Sequence, residues 1–132
     1  MSAELIIKAL LADASVTALV GDRVATPRLP QNTALPAIVY QVIDTVPQPN
    51  VAYQIGGQRA QSRIQINPLA GTIAEIKAIH EAIRNVLDFL HAQTVAGHYV
   101  ISSRLTMLGD VDRDDISGIW TQPADYMLIF IE

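Results

Sequence analysis

The sequence contains no cysteine. Disulfides and thiolate-ligated metal sites are therefore excluded, and the pattern is the one expected of a chain made inside a cell. Charge is sparse: Asp, Glu, Lys and Arg make up 17% of the 132 residues, against 50% apolar residues. A small domain with that balance has apolar surface left over for a partner subunit to cover. Basic excess is missing as well, since 9 cationic and 13 acidic side chains leave a net charge of −4. Tight phosphate contact by a duplex-binding module needs a basic face, so this class is disfavoured. No apolar run reaches the roughly 18 residues of a membrane span, and no membrane contact is expected. Met1–Lys8 has no basic n-region and Lys8 interrupts its apolar stretch, so it is not expected to be a signal peptide. Internal repeats and low-complexity tracts are missing too.

What is present fits one domain, residues 1–132. Its dominant feature is the stretch Gly71–His91. Ile73, Ile76, Ile79, Ile83, Val86, Leu87 and Leu90 recur at helical spacing and predict one apolar stripe, with Lys77, Glu81, Arg84 and Asp88 opposite. Thr72 and Glu75 form a capping box at its start. His80 lies inside the stripe and is read as a packed core or interface histidine. Ala78, Ala82, Asn85 and Phe89 predict a second, small-residue stripe ending in an aromatic, suited to another subunit.

Before this helix, Ser2 caps a first helical segment with Leu5, Ile6, Ala9, Leu10 and Val16 on one face. Asp13-Ala14-Ser15 reads as a break or kink, and a short second turn, Val16–Val20, stops at Gly21. Pro27, Pro30 and Pro36 bracket a non-helical loop. Ala37–Thr45 predicts a strand, apolar on both faces and so expected near the middle of a sheet, ended by Pro47 and Pro49. Val51–Ile55 reads as a short strand or arm, and Gly56-Gly57 as a turn. Gln58–Asn67 alternates, with Ser62, Ile64 and Ile66 on one face and Gln61, Arg63, Gln65 and Asn67 on the other; Pro68 is expected to stop it. Tyr99–Leu108 and Gly118–Ile131 complete the strands, the last bent or bulged at Pro123. The resulting class is α+β: a mostly antiparallel β-sheet with one long helix on a face and an N-terminal helical segment, a two-layer sandwich.

Chemistry is hard to find. His80, His91 and His98 have no H-x-x-x-H or H-E-x-x-H spacing. No G-x-S-x-G elbow surrounds Ser62, Ser102 or Ser103. Gly56-Gly57 is too short to cradle a phosphate, and no Lys-Ser or Lys-Thr follows it. Asp110-Val111-Asp112-Arg113-Asp114-Asp115 starts like a calcium loop. Asp115 and Thr121 stand where such a loop needs glycine and a bidentate glutamate, so it reads as a solvated hairpin or as a charged rim or lumen element of an assembly. Arg59, Arg63 and Arg104 have no interleaved aromatics to stack bases. Trp120 reads as a core or interface anchor. No catalytic, cofactor-binding or metal residue is assigned.

Taken in order, several segments resemble a known family. They are Leu10–Asp13, Val16–Val24, Leu35–Gln41, Arg63–Asn67, the Ala74–Leu87 helix, and Ile101–Arg104 with Asp125-Tyr126. Together they are similar to the small tail-completion, or tail-terminator, proteins of long-tailed bacteriophages and of phage-derived particles such as gene transfer agents. The resemblance implies a structural protein of the virion tail or neck, made in the host bacterial cytoplasm. It implies a ring of self-associated subunits, six in number by family analogy, that ends the tail tube and meets the head connector or stopper protein. DNA passes through such a ring without specific binding. Two other classes remain open: another neck or baseplate adaptor of the same particle, and a small enzyme or ligand-binding domain. Ala78, Ala82, Asn85, Phe89 and Trp120 are the expected subunit interface, and Asp110, Asp112, Arg113, Asp114 and Asp115 the expected lumen or ring-contact loop.

Overall fold

A computed structural model of the chain describes residues 2–48 and 58–132. The expected arm Val51–Ile55 and the turn Gly56-Gly57 lie outside the described residues. Three helices, α1 (Ser2–Leu11), α2 (Ala14–Val20) and α3 (Ile73–Leu87), are described together with eight strands. The strands are β1 (Val24–Ala25), β2 (Ala37–Gln48), β3 (Arg59–Ala70), β4 (Leu90–Val95), β5 (His98–Leu108), β6 (Asp112–Arg113), β7 (Trp120–Thr121) and β8 (Ala124–Ile131). The architecture is α+β, as expected. The sheet runs β1-β2-β3-β8-β5-β4, with β7 joining β3 and β6 joining β7. Every pairing is antiparallel except β1 with β2.

The core follows from alternation. On β3 every second residue from Ala60 to Ala70 is buried, and the intervening polar residues are not. Ile64 pairs with Tyr126, and Ser62 with Leu128, so the buried faces of β3 and β8 coincide. Onto this face the helices bring Ile76, Ile79, Ile83 and Leu87 from α3, with Ile6, Ile7, Leu10 and Leu11 from α1. Among the described residues no helix is long and apolar enough to cross a membrane.

Several boundaries differ from expectation. The long helix ends at Leu87, and Leu90 and His91 belong to β4, a strand that helical spacing concealed. Ile73 stays 38% exposed at the helix start. In α1 the buried face is Ala3, Ile6, Ile7, Leu10 and Leu11, while Leu5 and Ala9 are exposed; a Leu-Ile-Ile run leaves the choice of face to packing. Among the described residues strand β2 is second from the sheet's edge, not central, with the two-residue β1 beyond it. Pro47 sits within β2 rather than ending it. Pro68 does not stop β3 either. The neighbour of β3 changes from β8, last paired at Ile66, to β7, first paired at Leu69, and Pro68 occupies the gap, where a missing N–H is harmless. Pro123 marks the same gap from the other side, splitting the final strand into β7 and β8.

Candidate assembly surfaces

Helix α3 is fixed at both ends. Thr72 Oγ1 accepts the Glu75 amide at 3.3 Å and donates to Glu75 Oε1 at 3.1 Å. At the other end Asp88 leaves helical geometry, with its amide still bonded to Arg84 O at 2.8 Å. Its carboxylate accepts the Leu105 amide at 3.0 Å and Arg84 Nη2 at 3.1 Å. The chain then turns through Phe89, held at φ 61°, into β4. A left-handed phenylalanine costs about 1–2 kcal/mol relative to a relaxed backbone. The ring gains nothing from burial within the subunit, being 81% exposed.

Phe89 is among the residues lining a groove of about 490 Å³ between α3 and the β7–β8 region. Asn85, Asp88, His80, Gln122 and Leu108 line it. His80 forms its floor: Nε2–H donates to Gln122 O at 2.7 Å, and Nδ1 is buried without a protein partner among the described residues. Burial holds its pKa below the usual imidazole range, opposed by the bond to Gln122. His80 is thus a packed histidine that pins helix to sheet.

The expected second stripe is divided. Ala78, Asn85 and Phe89 are exposed, whereas Ala82 is buried and belongs to the subunit's own core. Trp120 is half-buried on β7, packs against the core and lies under the Arg113 guanidinium, 6.0 Å from the ring centre. It does not line the Phe89 groove.

Asp110 to Asp115 form part of a β6–β7 hairpin. Asp112, Arg113, Asp114 and Asp115 are all exposed, as is Asp110. Asp114 builds the tip: Oδ1 accepts the Ile116 amide at 2.9 Å and the Ser117 amide at 3.4 Å. Those backbone bonds, the one from Ile116 first, hold its carboxyl below the ordinary carboxylate range. The acidic side chains do not converge, and among the described residues no three histidine or carboxylate groups are placed to hold a metal ion. What the turn presents instead is Ile116, 99% exposed. Sequence reasoning weighed the aspartates and passed over this residue; its signal was a lone β-branched apolar side chain amid acidic and small polar neighbours.

A second concavity, also missed, lies at the N-terminal end. It has a volume of about 650 Å³ and is bounded by α1, α2, β1 and the proline-rich loop. Leu11, Val24 and buried Tyr40 form its apolar wall, and Lys8, Arg28 and Asp22 its charged rim. Burial, and secondarily the Glu4 carboxylate, push the Tyr40 hydroxyl pKa upward. The residues were dispersed over 33 positions of sequence, Lys8 to Tyr40, with no shared motif.

Nucleophile–base pairs do not form among the described residues. Ser62 Oγ pairs with Thr45 Oγ1 at 2.7 Å, Ser103 Oγ is buried without a protein partner, and His91 and His98 lie on the β4–β5 hairpin. Arg63 and Arg104 share the outer sheet face, each opposite Met127. Arg63 also ion-pairs with the buried Asp125 through Nε at 2.8 Å.

Comparison with known proteins gives three findings. The sequence model of the family described as Tail completion protein gp17 matches residues 4–118. A chain from a solved structure titled "Virion of native gene transfer agent (GTA) particle" shares the fold, with a TM-score of 0.70 and 18% identity; the match covers 98% of this chain and 93% of that one. No curated protein matches the sequence.

Proposed function

The chain belongs to the family of Tail completion protein gp17, and on that premise we propose that it forms a ring ending the tail tube at its head-proximal side. It is a structural protein of the tail of a phage-like particle and not an enzyme. In the proposed ring each subunit contributes one tail-terminator-like domain, residues 1–132. The ring is a homohexamer, its lower face seated on the tail tube protein and its upper face on the head connector or stopper.

The observation that carries this reading is the unpartnered apolar surface on a well-packed subunit. Phe89, Ile116, Leu5 and Val46 are each more than half exposed, although 24 apolar residues among those described fill the core. Such surface is costly to leave in water and is what repeated subunit contacts cover. Ala78, Asn85 and Phe89 form one such contact, Trp120 lying apart from it under Arg113. The net charge of −4 suits a ring through which DNA passes without adhering. Synthesis in the host bacterial cytoplasm and a place in the virion neck follow from the same reading.

The test is native mass measurement and electron microscopy of the purified chain, alone and with isolated tail tubes. Hexamers, or hexamers assembled on one tube end, are the expected result. Binding at the distal end would identify a baseplate adaptor instead, and a chain that stays monomeric under both conditions would overturn the ring.

A further inference from the structure

We propose that the acidic β6–β7 hairpin of one subunit docks in the N-terminal cleft of the next, with Ile116 as its plug. The proposal rests on the ring reading above and adds the contact that joins neighbours. Its occupant is a second copy of this chain, and three observations support that choice.

The first is placement. At one end of the sheet the strands run laterally as β1-β2-β3-β7-β6. The register is continuous along this row: Val24 pairs with Ile38, Ile38 with Pro68 and Ala37 with Leu69, Leu69 with Thr121, and Thr121 with Asp112. The cleft opens beside β1 and the hairpin stands at β6, so the two surfaces lie at opposite lateral edges of one row. With strands about 4.8 Å apart, four spacings separate them by roughly 19 Å. Surfaces on opposite edges at one level make a head-to-tail contact, the kind that closes into a ring.

The second is chemistry. The hairpin carries Asp110, Asp112, Asp114 and Asp115 against the single Arg113, which is occupied over Trp120. The cleft lining carries Lys8 and Arg28 against Asp22, with the Glu4 carboxylate acting on Tyr40 from outside the lining. Opposite signs face each other around an apolar centre, Ile116 on one side and Val24, Ala25 and Pro30, lying over the core residues Leu11 and Tyr40, on the other. Apolar contact ringed by complementary charge is the usual plan of a specific interface.

The third is preorganisation. Asp114 already orders the tip through the Ile116 and Ser117 amides, and Gly118 N–H donates to Asp114 O at 2.8 Å. The turn therefore loses little freedom on docking. A cleft of about 650 Å³ has room for the isoleucine side chain with its flanking backbone.

The experiment uses the full chain at a concentration where the wild type is assembled, with the oligomer read by native mass spectrometry. Ile116→Ser is expected to lower the assembled fraction at least tenfold while leaving the monomer's melting temperature unchanged. Lys8→Glu with Arg28→Glu should do the same, and adding Asp112→Lys with Asp115→Lys to that chain should restore assembly. Because cysteine is otherwise missing, Ile116→Cys with Ala25→Cys should give a disulfide ladder above dimer on oxidation. Either single cysteine should stop at dimer. Rings that persist undiminished in Ile116→Ser, with no ladder from the cysteine pair, would overturn the hairpin contact and leave the ring standing. Wild-type chains that never assemble, alone or on tubes, would overturn both.

Discussion

The Asp88 carboxylate lies 3.0 Å from the Leu105 amide, tying the end of α3 to β5. This single bond explains why the helix stops where it does. Its side chain is 8% exposed, and the carboxylate is satisfied by Leu105 and Arg84. With Asp88 turned inward, the next residue must reverse the chain, and Phe89 takes up the left-handed conformation that throws its ring outward.

Asp88→Ala leaves the Leu105 amide without its acceptor, which costs about 1–3 kcal/mol. At this chain length each kcal/mol corresponds to about 3–5 °C of melting temperature. Asp88→Asn keeps an acceptor oxygen and should lose less. Differential scanning calorimetry of the two variants decides it; an alanine variant melting with the wild type would mean the bond contributes nothing.

Phe89 separates folding from assembly. The exposed ring makes Phe89→Ala close to neutral for the monomer, within about 0.5 kcal/mol. Phe89→Gly should stabilise the monomer by up to about 1 kcal/mol, since glycine accepts φ 61° without strain. Both variants should assemble less well than wild type. Sedimentation across a concentration series reads assembly, and urea unfolding reads the monomer. Assembly unaffected by either change would remove Phe89 from the subunit interface.

The α3 stripe between Ile76 and Leu87, its Thr72 cap, the alternation in β3 and the break at Pro123 are local patterns, and each appears where the local sequence places it. The end of α3 is not local. Leu90 continues the helical spacing, and only the distant Leu105 amide gives Asp88 a reason to leave it. The position of β2 is likewise a matter of tertiary pairing, since an apolar run reads alike at the centre of a sheet and one strand from its edge. Ala82 shows the same limit: a small residue beside a stripe fits a neighbour's helix or the subunit's own core equally well. The cleft at Lys8, Arg28 and Tyr40 is assembled by the fold alone.

Tyr126 is fully buried and its hydroxyl has no protein partner among the described residues. Burial, followed by the nearby Asp88 carboxylate, pushes its pKa far upward, so it stays neutral throughout the accessible range. Removing an unsatisfied buried hydroxyl relieves its desolvation cost of about 1–3 kcal/mol. Tyr126→Phe should therefore match or exceed wild-type stability in urea unfolding. A clear loss would reveal a hydrogen bond, through water for example, that the protein groups alone do not make.

His80 gives the subunit a pH dependence of known sign. Its imidazole has a pKa below 6.5 when folded, because burial opposes the charged form, and regains 6.5 on unfolding. Between those two values the unfolded chain binds the extra proton, so stability rises with pH. The contribution is fully present above 6.5, is lost as pH falls through the window, and levels off below the folded value. Each unit of depression corresponds to about 1.4 kcal/mol. The charged groups lining the same groove are Lys77, Glu81, Arg84 and Asp88. The measurement is the urea midpoint at about pH 7.5 and about pH 5.5, for wild type and for His80→Gln. Glutamine keeps an N–H donor for the Gln122 carbonyl but cannot titrate. The wild type should lose stability between the two conditions and the variant markedly less; equal losses would assign the pH dependence to other groups and leave His80 a purely structural pin.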